Sequence, residues 1–239
     1  RDRSVSRGLG DVYKRQPMAI AHNGNLVNAR DLREKYELNG GIFHNTNDTE
    51  VISYAITEQR LIQPSIEKAV EQAMYKFKGA YSLVIMSPKK LIAARDPQGF
   101  RPLCMGETET GAIVFASESC ALDSIGARFI RDVEPGEIII VDKNGAHSLK
   151  THCGQKTSMC VFEYVYIARP DSVIEGSSVH QARLNAGKKL WQESPVEAPV
   201  KIPIWNGFPF ACSASAIFAN SAVTALAVPA GVNPLRPIL

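Results

Sequence analysis

Four short runs between Tyr81 and Val141 constrain this chain more than any other feature. They are Tyr81–Ser87, Leu91–Arg95, Ala112–Ser117 and Glu137–Val141, rich in β-branched, aliphatic and aromatic residues. Each is bounded by turn residues such as Ser87-Pro88 or Asn144-Gly145, and each is too short for a buried helix. Segments of this kind are stable only when paired, and their close spacing favours hairpins over βαβ crossovers. Asn144-Gly145, after Ile138-Ile139-Ile140-Val141, reads as a hairpin turn.

Helices flank these strands. Ile66, Ala69, Val70, Ala73, Met74 and Phe77 recur at helical spacing on one face, with Ser65 as N-cap and Gly79 as the stop. An earlier helix starts near Asn47-Asp48 and buries Val51, Ile52, Ala55 and Ile56. Glu50 completes an N-x-x-E capping pattern there. The expected class is therefore α+β with antiparallel sheets.

Charge and cysteine content narrow the setting. The net charge of +3 is carried entirely by residues 1–16, where five basic residues face Asp2 and Asp11. From Pro17 onward the charges cancel, so nucleic-acid binding is not expected. Five cysteines without a C-x-x-C pair, and no apolar signal region near Met18, point to a reducing, cytoplasmic setting. His22, His44, His147, His152 and His180 lack metal-ligand spacing.

Composition divides the chain into unequal parts. Residues 1–16 are polar and aperiodic, and read as a non-native leader; a flexible tail or a transit peptide are the alternatives, the latter opposed by Asp2 and Asp11. Residues 17–172 form the main domain, and 173–198 begin a connection to a further one. From 199 to 239 the sequence reads as an out-of-frame or disordered tail. No charge occurs between Ile202 and Leu235, but Pro203, Pro209, Pro229 and Pro234 argue against a membrane span.

Three strings carry candidate chemistry. In Ala21-His22-Asn23-Gly24-Asn25-Leu26-Val27-Asn28, Asn23-Gly24 alone is a hairpin turn. Its functional alternative is an oxyanion hole, with the Asn23 amide and the Gly24 N–H as donors and no Cβ to crowd the reacting carbon. Asn47-Asp48-Thr49-Glu50-Val51 is a helix N-terminus, whose Asp48 is a candidate for binding a substrate ammonium. Ala94-Arg95-Asp96-Pro97-Gln98-Gly99-Phe100-Arg101-Pro102-Leu103 reads as a structural turn with local Arg–Asp pairing.

Together these strings resemble the glutaminase half of class II, N-terminal-nucleophile glutamine amidotransferases. Cys160-Val161-Phe162-Glu163-Tyr164-Val165-Tyr166-Ile167-Ala168-Arg169-Pro170-Asp171-Ser172 resembles a segment of one branch, the amidophosphoribosyltransferase family. Val179-His180-x-x-Arg183 and Glu193-Ser194-Pro195-Val196-Glu197-Ala198 continue the likeness, which covers about residues 18–198. The resemblance implies a four-layer αββα sandwich, here incomplete at its N-terminus. It implies glutamine hydrolysis, with ammonia passed to 5-phosphoribosyl 1-pyrophosphate to give 5-phosphoribosylamine in purine synthesis. Asn23 and Gly24 would form the oxyanion hole, and Asp48 would hold the glutamine α-ammonium.

The same resemblance implies Mg2+ with the phosphoribosyl substrate, homo-oligomers, and in some relatives a [4Fe–4S] cluster to which Cys160 would be a ligand. A cluster needs four thiolates, so Cys160 is better read as a buried or half-buried thiol. The family nucleophile is an N-terminal Cys whose α-amine serves as base, whereas residue 1 here is Arg. The upstream glutamine-binding Arg and a phosphoribosyl-binding loop also have no counterpart, so the chain as given is expected to be inactive. A synthetase of the same class would need an S-G-G-x-D-S loop, which is absent. A non-catalytic glutamine-binding or regulatory module, and a chain that does not fold, remain the alternatives.

Overall fold

A computed structural model describes residues 18–195, together with the backbone of two short strands at 6–7 and 225–226. The expectations for a leader over 1–16 and a tail over 199–239 otherwise lie outside the described residues. In chain order the elements begin with β1 (Ser6–Arg7), β2 (Ala19–Leu26), α1 (Ala29–Leu38), α2 (Asp48–Ile62) and α3 (Ile66–Met74). Then follow β3 (Gly79–Ser87), β4 (Lys90–Arg95), β5 (Cys104–Glu107), β6 (Ile113–Ala116), α4 (Ser119–Ser124) and β7 (Arg128–Asp132). The remainder is β8 (Ile138–Asp142), β9 (Gly145–Leu149), a π-helical turn over Glu163–Ile167, β10 (Val173–Ile174), β11 (Ser177–Ser178), α5 (Val179–Glu193) and β12 (Ala225–Leu226).

Two larger antiparallel sheets result, in the orders β1-β2-β3-β4-β8-β9 and β12-β6-β5-β7, beside the two-stranded β10-β11. Strand alternation sorts their side chains into layers. Leu83, Ile85, Ile92, Ala94, Ile138 and Ile140 face Val51, Ile52, Ala55, Ile56, Ala69, Val70 and Ala73 of α2 and α3. Their strand neighbours Val84, Leu91, Ala93, Ile139 and Val141 face Met105 and Phe115 of the smaller sheet. The outer face of that sheet, through Cys104, Val114 and Ala116, packs on Ala121 and Leu122 of α4. The order of layers is therefore helices, sheet, sheet, helix: the four-layer αββα sandwich. A smaller cluster of Ala168, Ile174 and Val179 ties the π-helical turn to the β10–β11 hairpin and α5.

Several boundaries move. Helix α3 stops at Met74, yet Phe77 stays buried in the same core and meets Tyr81 edge-on at 5.5 Å. Gly79 opens β3 at φ +126 instead of closing the helix. The β8–β9 hairpin is present, but its two-residue connection is Lys143-Asn144, and Gly145 at φ +106 begins β9 opposite Asp142. Ser65 caps α3 as expected.

At α2, the Asn47 side chain accepts the Thr49 N–H at 2.8 Å, as an N-cap should. Glu50 does not complete a reciprocal box. Its carboxylate instead accepts the N–H groups of His44 and Asn45 at 3.0 Å each, holding the preceding loop. Asn47→Ala is expected to cost about 1 kcal/mol in urea denaturation, while Asn47→Asp retains most of the stability. Equal losses in both variants would show that the cap is not what Asn47 contributes.

Candidate functional site

Asn23 and Gly24 lie in the middle of a strand, which removes the hairpin-turn reading. β2 pairs with β3 in antiparallel register, Asn23 opposite Ser82 and Gly24 opposite Tyr81. Alternation places Asn23 on the same face as Ala21, toward the smaller sheet, and His22 on the face of Ile20 and Leu26, toward the helices. The half-buried Asn23 side chain donates from Nδ2 to Ser117 Oγ at 3.1 Å, bridging the two sheets. Beyond Ala19 and Ile20, which pair with β1, the outer edge of β2 carries no strand among the described residues.

The structure itself demands glycine at position 24. At φ +148, a Cβ on Gly24 would lie 2.1 Å from the Ala80 carbonyl oxygen. The steric demand comes from the neighbouring strand, so glycine is fixed here by sheet packing.

Asp48, the first residue of α2, is tied to the same strand. Its Oδ2 accepts the Leu26 N–H at 2.9 Å, and its Oδ1 lies 3.5 Å from His22 Nδ1. His22 Nδ1 is also 3.2 Å from Thr49 Oγ1. The His22 side chain is 2% exposed and that of Asp48 15%. Burial pushes the Asp48 carboxyl up. The hydrogen bond and charge of His22 and the Leu26 N–H outweigh it, holding the group below the ordinary carboxylate range. Asp48 is thus an oriented anion at the end of the strand that carries Asn23 and Gly24. His22 belongs to this arrangement although only its place beside Asn23 pointed to it; Ser117, 94 residues from Asn23, gave no sequence signal at all.

The turn after β4 is structural, as read, but its pairing is not local. Asp96 is fully buried and accepts the N–H groups of Gln98 and Phe100 at 3.1 Å each. The arginines reach far along the chain instead. Arg95 pairs with Glu175 at 2.8 Å and Arg101 with Glu163 at 2.6 Å, across 80 and 62 residues. Arg–Asp pairing fails because Asp96 spends its oxygens on backbone donors that only a carboxylate inside the turn can reach.

Cys160 is half-buried, with its N–H on the Phe100 carbonyl at 3.3 Å. Among the described residues no group of three or more His, Cys, Asp or Glu side chains is placed to hold a metal ion. No described helix is long and apolar enough to cross a membrane.

Residues 9–124 match the family described as "Glutamine amidotransferase domain". With the αββα layering and the Asn23–Gly24 strand, this defines a glutamine amidotransferase domain of class II. The chain is 47% identical over 192 residues to a chloroplastic amidophosphoribosyltransferase of Vigna aconitifolia, covering 80% of this chain and 39% of that protein. It is 47% identical over 195 residues to the amidophosphoribosyltransferase of Rhizobium etli, with 80% and 39% covered. Among solved structures, the glutamine phosphoribosylpyrophosphate amidotransferase of B. subtilis, complexed with ADP and GMP, superposes with a TM-score of 0.72 at 42% identity, over 77% of this chain and 40% of that one. An "allosteric regulatory enzyme of purine biosynthesis" superposes with a TM-score of 0.73 at 41% identity, over 79% and 40%. The chain belongs to the amidophosphoribosyltransferase family, and it spans about two fifths of the length of the relatives it matches.

Proposed function

We propose that this chain forms the glutamine site of an amidophosphoribosyltransferase. The observation that carries this reading is the shared strand. Asn23 and Gly24 offer two amide donors, and two residues further on Leu26 fastens the Asp48 carboxylate. Two residues of strand span about 7 Å, a length comparable with an extended amino acid bearing an amide at one end and an ammonium at the other. In this reading the substrate carboxamide lies against Asn23 Nδ2 and the Gly24 N–H, where negative charge develops during attack. Asp48, ionised at neutral pH, receives the α-ammonium. Binding without turnover is expected.

In the whole enzyme, ammonia released here would pass to 5-phosphoribosyl 1-pyrophosphate, held with Mg2+ by another domain. Cys104, Cys120, Cys153 and Cys160 are free thiols, which supports a reducing compartment such as the cytosol. Plant relatives carry "chloroplastic" in their names.

Titrating the 239-residue chain with glutamine at millimolar concentrations, followed by amide NMR, tests the reading. Shifts confined to the Asn23–Leu26 strand and the Asp48 helix start are expected. Asp48→Asn should weaken them at least tenfold, and no glutamate should appear above a protein-free blank. Glutamine turnover by this chain would overturn the expected inactivity. An unchanged spectrum at saturating glutamine would overturn the site.

A further inference from the structure

Asn23, Ser82 and Arg95 stand side by side across three strands. Asn23 pairs with Ser82 between β2 and β3, and Ser82 pairs with Arg95 between β3 and β4. Directly opposed residues share a face, here the face toward the smaller sheet. Each reaches across to that sheet's end: Asn23 to Ser117 Oγ at 3.1 Å, Ser82 Oγ to the Pro102 carbonyl at 3.1 Å, and Arg95 Nη1 to the Val133 carbonyl at 2.8 Å. One row further in, Val84 and Ala93 are apolar core. The row is thus a polar border at the end of the space between the sheets.

Arg95 is 1% exposed, so its guanidinium requires full pairing. Three backbone carbonyls, of Arg101, Val133 and Gly99, take Nε, Nη1 and Nη2 at 2.7, 2.8 and 3.1 Å. The carboxylate that hydrogen-bonds it, at 2.8 Å, is Glu175 on the turn between β10 and β11. Glu175 sits at φ +49 and Gly176 at φ +76, a pair of positive angles that suits a two-residue hairpin and favours Asn, Asp or Gly at both positions. Glu175 is the one described non-glycine residue with positive φ. A side chain poorly suited to its backbone angle is retained where the side chain itself is needed.

A second route reaches the same segment. Ser117, the partner of Asn23, precedes Glu118 and Ser119. Glu118 Oε2 accepts the Arg169 N–H and the Ser172 hydroxyl at 2.8 Å each, and Ser119 Oγ accepts the Val173 N–H at 2.9 Å. Both ends of the polar row therefore fasten the stretch from Arg169 to Gly176.

We propose that Arg95 and Glu175 are positioning residues for the Asn23 amide, with the Arg169–Gly176 stretch acting as a latch that sets the oxyanion donor's orientation. The functional meaning rests on Asn23 serving as that donor; the geometric coupling does not. With the latch closed, Ser82 and Ser117 are fixed on either side of Asn23 and its Nδ2 keeps one direction. With Glu175 withdrawn, Arg95 loses its bonded carboxylate, and the row loses its anchor at the end away from Asn23.

The test is a 15N NMR spectrum of side-chain amides in the full 239-residue chain, with the Asn23 pair assigned by its loss in Asn23→Ser. In Glu175→Gln the Asn23 pair is expected to shift or broaden. The pair of Asn39, which bonds Lys35 O at the end of α1, should stay in place. Glu175→Gly suits the positive φ, keeps the hairpin folded, and is expected to move the Asn23 pair likewise. Glu134→Gln, which breaks the exposed pair with Lys150, is the charge-loss control and should move neither. An unmoved Asn23 pair in either Glu175 variant overturns the proposal, as does an equal shift in the Glu134 control. None of these readouts uses glutamine, so failure of the glutamine-site reading would show separately as absent binding by the unaltered chain.

Discussion

Gly24→Ala is expected to lower stability by about 4 kcal/mol, as a cost of about 1–3 kcal/mol for strained backbone adds to about 1–3 kcal/mol for overpacking. The added methyl would meet the Ala80 carbonyl at 2.1 Å, and the atoms next nearest, Ala80 C and Tyr81 Cα at 2.8 Å each, are also backbone. No side chain can swing aside to relieve the contact, so β2 and β3 must separate. Gly145→Ala supplies the control: it shares a positive φ, +106, but nothing lies within 4 Å of its Cβ. The difference between the two variants in urea denaturation isolates the clash from the backbone angle. Equal losses would mean that the close approach of the strands is not what demands glycine at position 24. Because Asn23 is the preceding residue, the separation should also release its bond to Ser117 and abolish the glutamine-dependent NMR shifts.

That demand for glycine shows how far the sequence could be read. The H-N-G string suggested chemistry, but the clash that its glycine avoids with Ala80 was not legible, because nothing in one strand reveals how near the next will pass. Helices α2 and α3 were legible because their apolar residues repeat at helical spacing and their caps are local. The apolar runs that became β3, β4, β6 and β8 were legible as short β-branched and aliphatic stretches bounded by turn residues. Strands β5 and β7 were not. Cys104-Met105-Gly106-Glu107 is short and broken by Gly106, and Arg128-Phe129-Ile130-Arg131-Asp132 lies exposed or half-exposed at a sheet edge, with Phe129 42% exposed. Helix α1 buries only Leu32 and Tyr36, too few for a periodic signal. Asp48 could be placed at its helix start from the sequence, but not its bonds to Leu26 and His22 of β2. The partners of Asn23 and Arg95, 94 and 80 residues away, lie just after β6 and on the β10–β11 turn, and so depend on how separate layers pack. Pairings between layers leave no local pattern, so they become visible only once the layers are assembled.

Glu137→Gln is expected to cost about 3 kcal/mol at pH 7, with a pH dependence that identifies its cause. Glu137 is fully buried immediately before β8. Its carboxylate accepts two bonds from Arg131 at 2.7 Å each, one from Ser148 Oγ at 2.6 Å and one from the Glu134 N–H at 2.8 Å. Burial pushes its pKa up, but Arg131, Ser148 and the Glu134 N–H together outweigh burial and bring it down to about 2 from 4.5. A folded-state pKa below the unfolded one stabilises the fold at every pH above about 4.5, and that contribution is lost as pH falls toward 2. A carboxylate held at about 2 instead of 4.5 contributes about 3 kcal/mol. Glutamine keeps the shape but not the charge, so the deficit should be full at pH 7 and 5.5 and shrink by pH 3, where the unaltered chain loses the same stabilisation. Urea midpoints at those three pH values decide the matter: a gap constant with pH would mean that glutamine's fit, not the missing charge, sets the loss. The effect should also reach the site, because the Glu137 carbonyl accepts the Arg95 N–H at 3.1 Å and so fixes the strand end from which Arg95 reaches Glu175.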